Sequence, residues 1–495
     1  MSTVKPRKLF FASCMALIAT SVTFAVVGAV MLTLKREFVL TNLQVGWIGG
    51  AALWGFAVSQ LIFAPLCDTL GMRRLLRLAF VSHLAGAFVM IFAGGFNGLF
   101  AGALVLSMGN GLVEAACNPL VAALYPDDKT VKLNQFHVWF PGGIVIGSVA
   151  AFGLDAAGLT WWQLKIALIL VPTVIYGALM LRESFPPTEG VAAGVSMGEM
   201  FRATLTTPLM LLMLICMAIT ASTELGPNRW VPAVLEAGGI PGILVLAWIN
   251  GLMAVLRYRA GDVVHRFSPT GVLLGCAVVS IVGLAWLSFA ETTLMAFLSA
   301  TVFAVGICYF WPTMLGFVSE RIPRSGALGL GLMGAMGMAV VGLVTTPQMG
   351  RVADAAGHER IPVDETVGLF QDVVAVFPSP AESIVDDPTA VDRQTARGAV
   401  EGVLAAYRDG GALPPVTTAN ALRGVIDSGD ADLGARAGAI LGPADNYGGR
   451  MSFRAILPFT AALVLVFGLL YLSDRRAGGY RAKKIGDGAA SGAAA

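Results

Sequence analysis

Ala64-Pro65-Leu66-Cys67-Asp68-Thr69-Leu70-Gly71-Met72-Arg73-Arg74 is a short polar, basic loop between two long apolar runs, and 197 residues further on Gly261-Asp262-Val263-Val264-His265-Arg266-Phe267-Ser268 occupies an equivalent place. The same offset carries Gly109 onto Gly306 and Tyr125-Pro126 onto Ile322-Pro323, and it brings Gly142 and Gly147 within two residues of Gly337 and Gly342. A chain that matches itself at one interval is a duplication. Parallel repeats of apolar segments pack as two bundles around an axis along the membrane normal, with a site between them near mid-depth.

Composition agrees. Of 495 residues, 56% are hydrophobic and 13% charged, and the mean hydropathy is +0.75, the profile of a membrane protein. Apolar runs of about 20 residues, the length that crosses a bilayer, are expected near 8 to 33, 44 to 66, 75 to 95, 97 to 125, 134 to 157 and 161 to 182. A second set is expected near 208 to 233, 242 to 260, 270 to 290, 293 to 319, 325 to 349 and 453 to 473. The expected fold is therefore all-α, twelve membrane helices in two six-helix bundles. Its parts are a first bundle over 1–182, a linker over 183–207, helices seven to eleven over 208–349, an insertion over 350–452, helix twelve over 453–474 and a tail over 475–495.

Basic residues favour the cytoplasmic side. Lys5, Arg7, Lys8, Arg73, Arg74, Arg77, Lys129, Lys132 and the group from Arg475 to Lys484 share one side, so both termini are expected in the cytoplasm of a cell whose inner membrane holds the protein. The first apolar run lacks a small-residue cleavage site and reads as a retained span. All six cysteines lie in or beside spans and imply no disulfide framework. Nothing resembles a nucleic-acid-binding stripe, a metal-ligand spacing, a nucleophile elbow or a phosphate loop, so neither an enzyme nor a cofactor is expected.

Within the run Phe100 to Tyr125, Asn110, Glu114 and Asn118 are spaced by four and share one helix face, which Ser107 extends. A carboxylate at bilayer depth costs at least about 2 to 3 kcal/mol on insertion scales, and so marks a substrate or proton route. The other reading is an interhelical hydrogen bond. Thr220, Glu224 and Asn228 repeat the spacing in helix seven, with Glu224 expected toward the outer half and pairing with Arg229 or reaching water. Asn250 in helix eight is a hydroxyl binder or helix glue. The repeat sets Trp311, next to Tyr309, opposite Glu114, where an aromatic face would pack on a sugar ring or on a helix. Trp161 and Trp162 read as interfacial belt residues.

Taken together, the chain resembles the major facilitator superfamily, and within it the fucose-permease type of sugar–proton symporter. The superfamily's loop pattern is matched by Leu66, Asp68, Gly71 and Arg73, with Ala64 and Thr69 departing from it. The narrower likeness runs through Gly109-Asn110-Gly111-Leu112-Val113-Glu114-Ala115-Ala116-Cys117-Asn118-Pro119 to Leu133-Asn134. The resemblance implies a twelve-helix carrier without enzymatic activity, with Glu114 as the proton-coupling acid. It also implies a sugar-site position at His137, where the family pattern has glutamine. Aligned on the Leu40-Thr41-Asn42 turn, Gly28 stands where the family has an aspartate.

Asp68, Gly71 and Arg73 are expected to act as a cytoplasmic latch, the carboxylate facing the positive end of a neighbouring helix. In the second copy His265 and Arg266 replace the acid. Six glycines, Gly326, Gly329, Gly331, Gly334, Gly337 and Gly342, should let helix eleven approach its neighbours closely. The insertion holds 15 of the 31 acidic side chains against eight basic ones. Helices are expected over Asp392 to Tyr407 and Ala419 to Ile440, in a small helical cap outside the membrane, with a flexible lid over the outer mouth as the other reading, and the tail after Lys484 reads as unstructured.

The functional expectation is proton-coupled uptake of a sugar or related polar solute, by a monomer in contact with lipid, with protons as the second ligand and no nucleic acid. An exporter or carrier of another polar metabolite on the same fold stays open, as does a receptor sensing a ligand through the insertion.

Overall fold

The computed structural model describes residues 4–40, 42–180, 182–379 and 388–485. Thr41 of the alignment turn, Pro380 of the insertion and the tail beyond 485 lie outside them. Among the described residues, eleven helices are long and apolar enough to cross a membrane, and the shorter apolar helix Gly242–Tyr258 makes the twelfth.

The first bundle comprises Pro6–Glu37, Asn42–Phe63, Met72–Ile91, Phe96–Leu124, a fifth helix in two pieces (Lys129–His137 and Trp139–Ala156) and a sixth in two pieces (Trp162–Ala167 and Leu170–Met180). The second comprises Pro208–Ala237, Gly242–Tyr258, Ala260–Leu287, a tenth in two pieces (Thr293–Ile307 and Phe310–Arg321), an eleventh beginning at Gly326 and a twelfth over Leu457–Arg476. The ninth carries a break at Ser268, with φ 64° and ψ 159°, because the residue before Pro269 is driven out of the α region. The spanning piece therefore starts where the apolar run suggests.

The linker carries two short helices: Thr188 caps Glu189–Ala192, and Ser196 with Glu199 forms a capping box on Met197–Thr206. Two expectations need correction. Trp162 is 3% exposed whereas Trp161 is 71% exposed, so only Trp161 suits a belt; Trp162 packs edge-on to Phe38 with ring centroids 6.0 Å apart. The expected helix from Ala419 to Ile440 is two helices, Pro415–Asp427 and Ala431–Arg454, parted at Gly429, whose φ of +73° suits glycine.

The insertion is a helical cap and not a loop. Helix eleven continues through a π stretch, Val341–Thr345, into Thr346–His358, and Ala431–Arg454 leads almost directly into helix twelve. On these two stalks sit Val363–Val376, Pro388–Gly410 and Pro415–Asp427. Leu369, Phe370, Val373, Phe377, Val400 and Leu422 form a core separate from that of the bundles. A fifth or more of such a small domain's stability rests on one buried aromatic: Phe370→Ala should cost about 3 to 5 kcal/mol out of the roughly 5 to 15 typical of a domain. The expected outcome is faster proteolysis within 359–430, with the membrane body still protected.

Helix eleven meets helix two across the bundle interface through glycine. A Cβ on Gly342 would lie 3.2 Å from Leu53, and one on Gly337 would lie 2.8 Å from the Trp311 ring. Gly331 and Gly334 face Ala64 and Gln60 in the same way. Side chains of helix two therefore seat directly on the helix-eleven backbone at Gly331, Gly334 and Gly342, while Gly337 makes room for Trp311 within the second bundle.

Candidate functional site

Two tiers line the space between the bundles. The inner tier is a cavity of about 20 Å³ lined by Phe56, Glu114, His137, Phe140, Glu224, Leu225, Arg257, Trp311 and Met338, room for about one water. The upper tier, nearer the cap, is a cavity of about 80 Å³ that includes Thr23, Gly28, Ser107, Asn110 and Arg229.

Arg257 is 1% exposed and spans the inner tier. Its Nη1 donates to the His137 carbonyl at 3.0 Å, its Nε to the Cys308 carbonyl and its Nη2 to Glu224 Oε1 at 2.8 Å. The two carbonyls are open for a reason legible in the chain. Four residues beyond His137 stands Pro141, and four beyond Cys308 stands Pro312, and proline has no N–H to close the helical bond. The fifth and tenth helices break at those points, one from each bundle, and a single guanidinium satisfies both. Glu224, expected to pair with Arg229 or reach water, pairs instead with Arg257, a residue that its place at the end of an apolar run does not single out.

Glu114 is 2% exposed. Its Oε2 accepts from Asn118 Nδ2 at 2.6 Å, and its Oε1 lies 3.4 Å from His137 Nε2. His137 Nδ1 lies 2.9 Å from the Leu133 carbonyl. A carbonyl only accepts, so Nδ1 carries a proton and Nε2 is the nitrogen left to exchange one with Glu114.

The remaining expected site residues divide. Trp311 lines the inner tier with Glu114. Tyr309 does not line it; its hydroxyl donates to the Leu256 carbonyl at 2.8 Å. Asn250 Nδ2 donates to the Leu246 carbonyl one turn back, at 2.9 Å. Asn228 is buried, and its Oδ1 has no hydrogen-bond partner. Asn110 belongs to the upper tier and accepts at Oδ1 from His83 Nε2, 2.9 Å away, while His83 Nδ1 takes the Tyr176 hydroxyl at 3.1 Å. His83 was not anticipated.

On the face that carries the termini the bundles are bolted shut. Asn134 Nδ2 donates to Thr313 Oγ1 at 3.1 Å, and Lys129 Nζ reaches the Ser319 carbonyl at 3.3 Å. Asp68 Oδ1 accepts from Thr188 Oγ1 at 2.6 Å, and its Oδ2 would lie 3.8 Å from a Cβ on Gly326, where helix eleven begins. Gly71, at φ +81°, makes the turn that follows. Arg73 lines a groove with Arg77, Phe80 and Tyr176 between helices three and six. In the second copy His265 Nε2 lies 3.2 Å from Asp128, and Arg266 sits 5.5 Å over the Phe267 ring. The acid that the second loop lacks comes from elsewhere: Glu320 Oε1 accepts from Thr130 N at 3.0 Å and from Thr130 Oγ1 at 2.7 Å, capping helix five. On the cap's side Gly28 and Arg229 are exposed.

The family model of the Major Facilitator Superfamily matches residues 9–346. The chain belongs to the major facilitator superfamily. It is thus a membrane transporter and not an enzyme. The yeast hexose transporter HXT17 of Saccharomyces cerevisiae is 28% identical over 155 residues, 30% of this chain. The chain spans about a quarter of that curated relative, 27% of its length. Among solved structures, the transporter FucP in its outward conformation is 20% identical, with 70% of this chain and 92% of that one covered at a TM-score of 0.57. A bacterial homologue of the human lysosomal transporter Spinster, inward-facing and unoccupied, is 16% identical, with 96% and 99% covered at a TM-score of 0.60. At these identities the likeness concerns the fold.

Two outcomes test this site. Arg257→Met leaves Glu224 buried without its cation and should destabilise the detergent-solubilised protein by about 3 to 5 kcal/mol; adding Glu224→Gln should recover part of the lost melting temperature. For the latch, burial pushes the Asp68 carboxyl above the usual carboxylate range, with the Thr188 hydroxyl opposing. A raised acid stabilises the closed form most when protonated, below its unfolded pKa, and that contribution is lost as pH rises through the folded value. Asp68→Asn should therefore keep the terminal face closed and make its closure less dependent on pH, read by labelling of a cysteine at Thr313.

Proposed function

We propose that this transporter carries a sugar or closely related polyol together with a proton, by alternating access, with both termini in the cytoplasm and the cap outside the inner membrane. The observation that carries the reading is the Glu114–His137 contact at 3.4 Å, in which His137 Nδ1 is committed to a carbonyl. Beside it stand one more acid, Glu224, and one permanent cation, Arg257. With both carboxylates charged and His137 neutral, the four groups sum to −1. One proton, on Glu114 or on His137 Nε2, brings the sum to zero. A dry, closed site favours the neutral sum, since an uncompensated buried charge is costly, so loading and closure are linked to a single proton.

Support for a sugar is of two kinds. Trp311 offers a ring face beside groups that bind hydroxyls, the mixed lining of small-molecule sites. FucP of E. coli, similar in fold, is a fucose:proton symporter, and HXT17 is a hexose transporter. The basic loops on the terminal face support the orientation, and lipid surrounds a carrier that works as a monomer.

Uptake of a labelled sugar panel into proteoliposomes, with and without an imposed pH gradient, is the direct test. Glu114→Gln should keep exchange of labelled substrate and abolish gradient-driven accumulation. Accumulation at the wild-type level in that variant would sink the proton assignment.

A further inference from the structure

The upper tier holds a charge with no counter-charge. Arg229 lies within the span Pro208–Ala237, lines the cavity of about 80 Å³ and is exposed to it. It makes no ion pair or hydrogen bond with a described residue. A guanidinium at membrane depth that faces a cavity without a partner is retained for a ligand. None of the residues lining that cavity is an acid. Gly28 lines it too, and nothing lies within 4 Å of where a Cβ on Gly28 would be; the chain has left open space, and no carboxylate, beside its cation.

A second observation points to the same ligand. Asn110 is fully buried, lines this cavity and has an Nδ2 without a hydrogen-bond partner. Its oxygen is held by His83, so the free end is the donor end. Ser107 and Thr23 spend their hydroxyl protons on the carbonyls of Ala52 and Ala19 and offer acceptors. The tier thus presents one cation, one orphan amide donor and hydroxyl oxygens. Along their helices, Arg229 and Asn110 stand about 7.5 Å and 6 Å toward the cap from Glu224 and Glu114.

We propose that the substrate is an acidic sugar, an aldonate or uronate, whose carboxylate binds Arg229 and Asn110 in the upper tier while its hydroxyls and ring reach Trp311 and the Glu114 tier. This rests on the reading of the chain as a proton-coupled sugar carrier and narrows it. A guanidinium grips a carboxylate with two parallel bonds, which a hydroxyl cannot supply. Coupling then has a definite charge: one carboxylate and one proton enter together, and the loaded carrier moves no net charge. The cap's excess of acids does not oppose this. Some of its acids pair with its own arginines, as Arg423 with Asp445 and Arg436 with Asp372, and salt screens the remainder beyond about 8 Å.

The test uses full-length protein in proteoliposomes with labelled glucuronate and gluconate against fucose and xylose. An inward proton gradient should accumulate the acids, and a potassium–valinomycin potential at fixed pH should leave that uptake unchanged. Arg229→Gln should weaken acid uptake roughly ten- to hundredfold, and Arg229→Lys should restore part of it. Gly28→Asp fills open space, places an acid beside Arg229 and should cut acid uptake by a similar factor while the melting temperature in detergent stays at the wild-type value. Proton-driven, potential-sensitive uptake of neutral sugars alone would overturn the acidic substrate and leave the carrier reading standing. No saturable uptake of any of the four would overturn both.

Discussion

Arg257 is the constraint on which the centre of the molecule depends. Peptide carbonyls in a membrane interior must find donors within the protein, at several kcal/mol each if they do not. Pro141 and Pro312 remove the helical donors of His137 and Cys308, one in each bundle. Arg257 answers both and turns its third edge to Glu224. The helix breaks that free the carbonyls are the same breaks that put His137 and Trp311 at the cavity. One of the three bonds, to the His137 carbonyl, crosses to the first bundle, while the other two stay within the second, so the guanidinium joins the bundles at the site itself.

The two copies of the repeat draw the acid at the terminal face from different elements. In the first, the loop acid Asp68 lies against the start of helix eleven. In the second, the loop carries His265, and the start of helix five is capped by Glu320 from the end of helix ten. The counterpart of Glu320 at the repeat interval is Ala123, so the acid has changed element but not destination. A helix N-terminus needs an acceptor and favours a negative charge; Glu320 supplies the acceptor to helix five, while Asp68 is bonded to Thr188 beside the start of helix eleven. Tyr480 of the segment after helix twelve donates to the other Glu320 oxygen at 2.7 Å, which ties the chain's end to this closure.

Hydropathy made the twelve spans legible, because the bilayer imposes a length that sequence records directly. Glu114 was legible for a related reason: a carboxylate in an apolar run has few bland explanations. Arg257 was not, since Arg257-Tyr258-Arg259 at the end of an apolar run reads as a snorkelling flank. The signal that would have found it is the pair of prolines, each four residues beyond a carbonyl that then lacks a donor. Asn110 was placed on the correct helix face, yet His83 draws its oxygen away from Glu114, and helical spacing carries no information about a partner on another helix. The paired fate of Trp161 and Trp162 has the same cause: belt chemistry depends on which way a ring points, and only packing fixes that.

The cap shows how an insertion can be long without being loose. Both of its stalks are continuous, or nearly so, with membrane helices, and one π stretch, Val341–Thr345, lets helix eleven change phase as it leaves the bundle. There Thr345 shares a hydrogen bond of 2.6 Å with Ser222 of helix seven. The second stalk is fastened to the same bundle, with Asn446 Nδ2 donating to the Val234 carbonyl at 2.7 Å and Arg450 pairing with Glu291 at 3.0 Å. Arg454 reaches the Ser288 carbonyl at 3.2 Å. Each of these anchors belongs to the second bundle. Both stalks run into second-bundle helices and each named anchor lies in that bundle, so the cap is fastened to the bundle that carries Arg229.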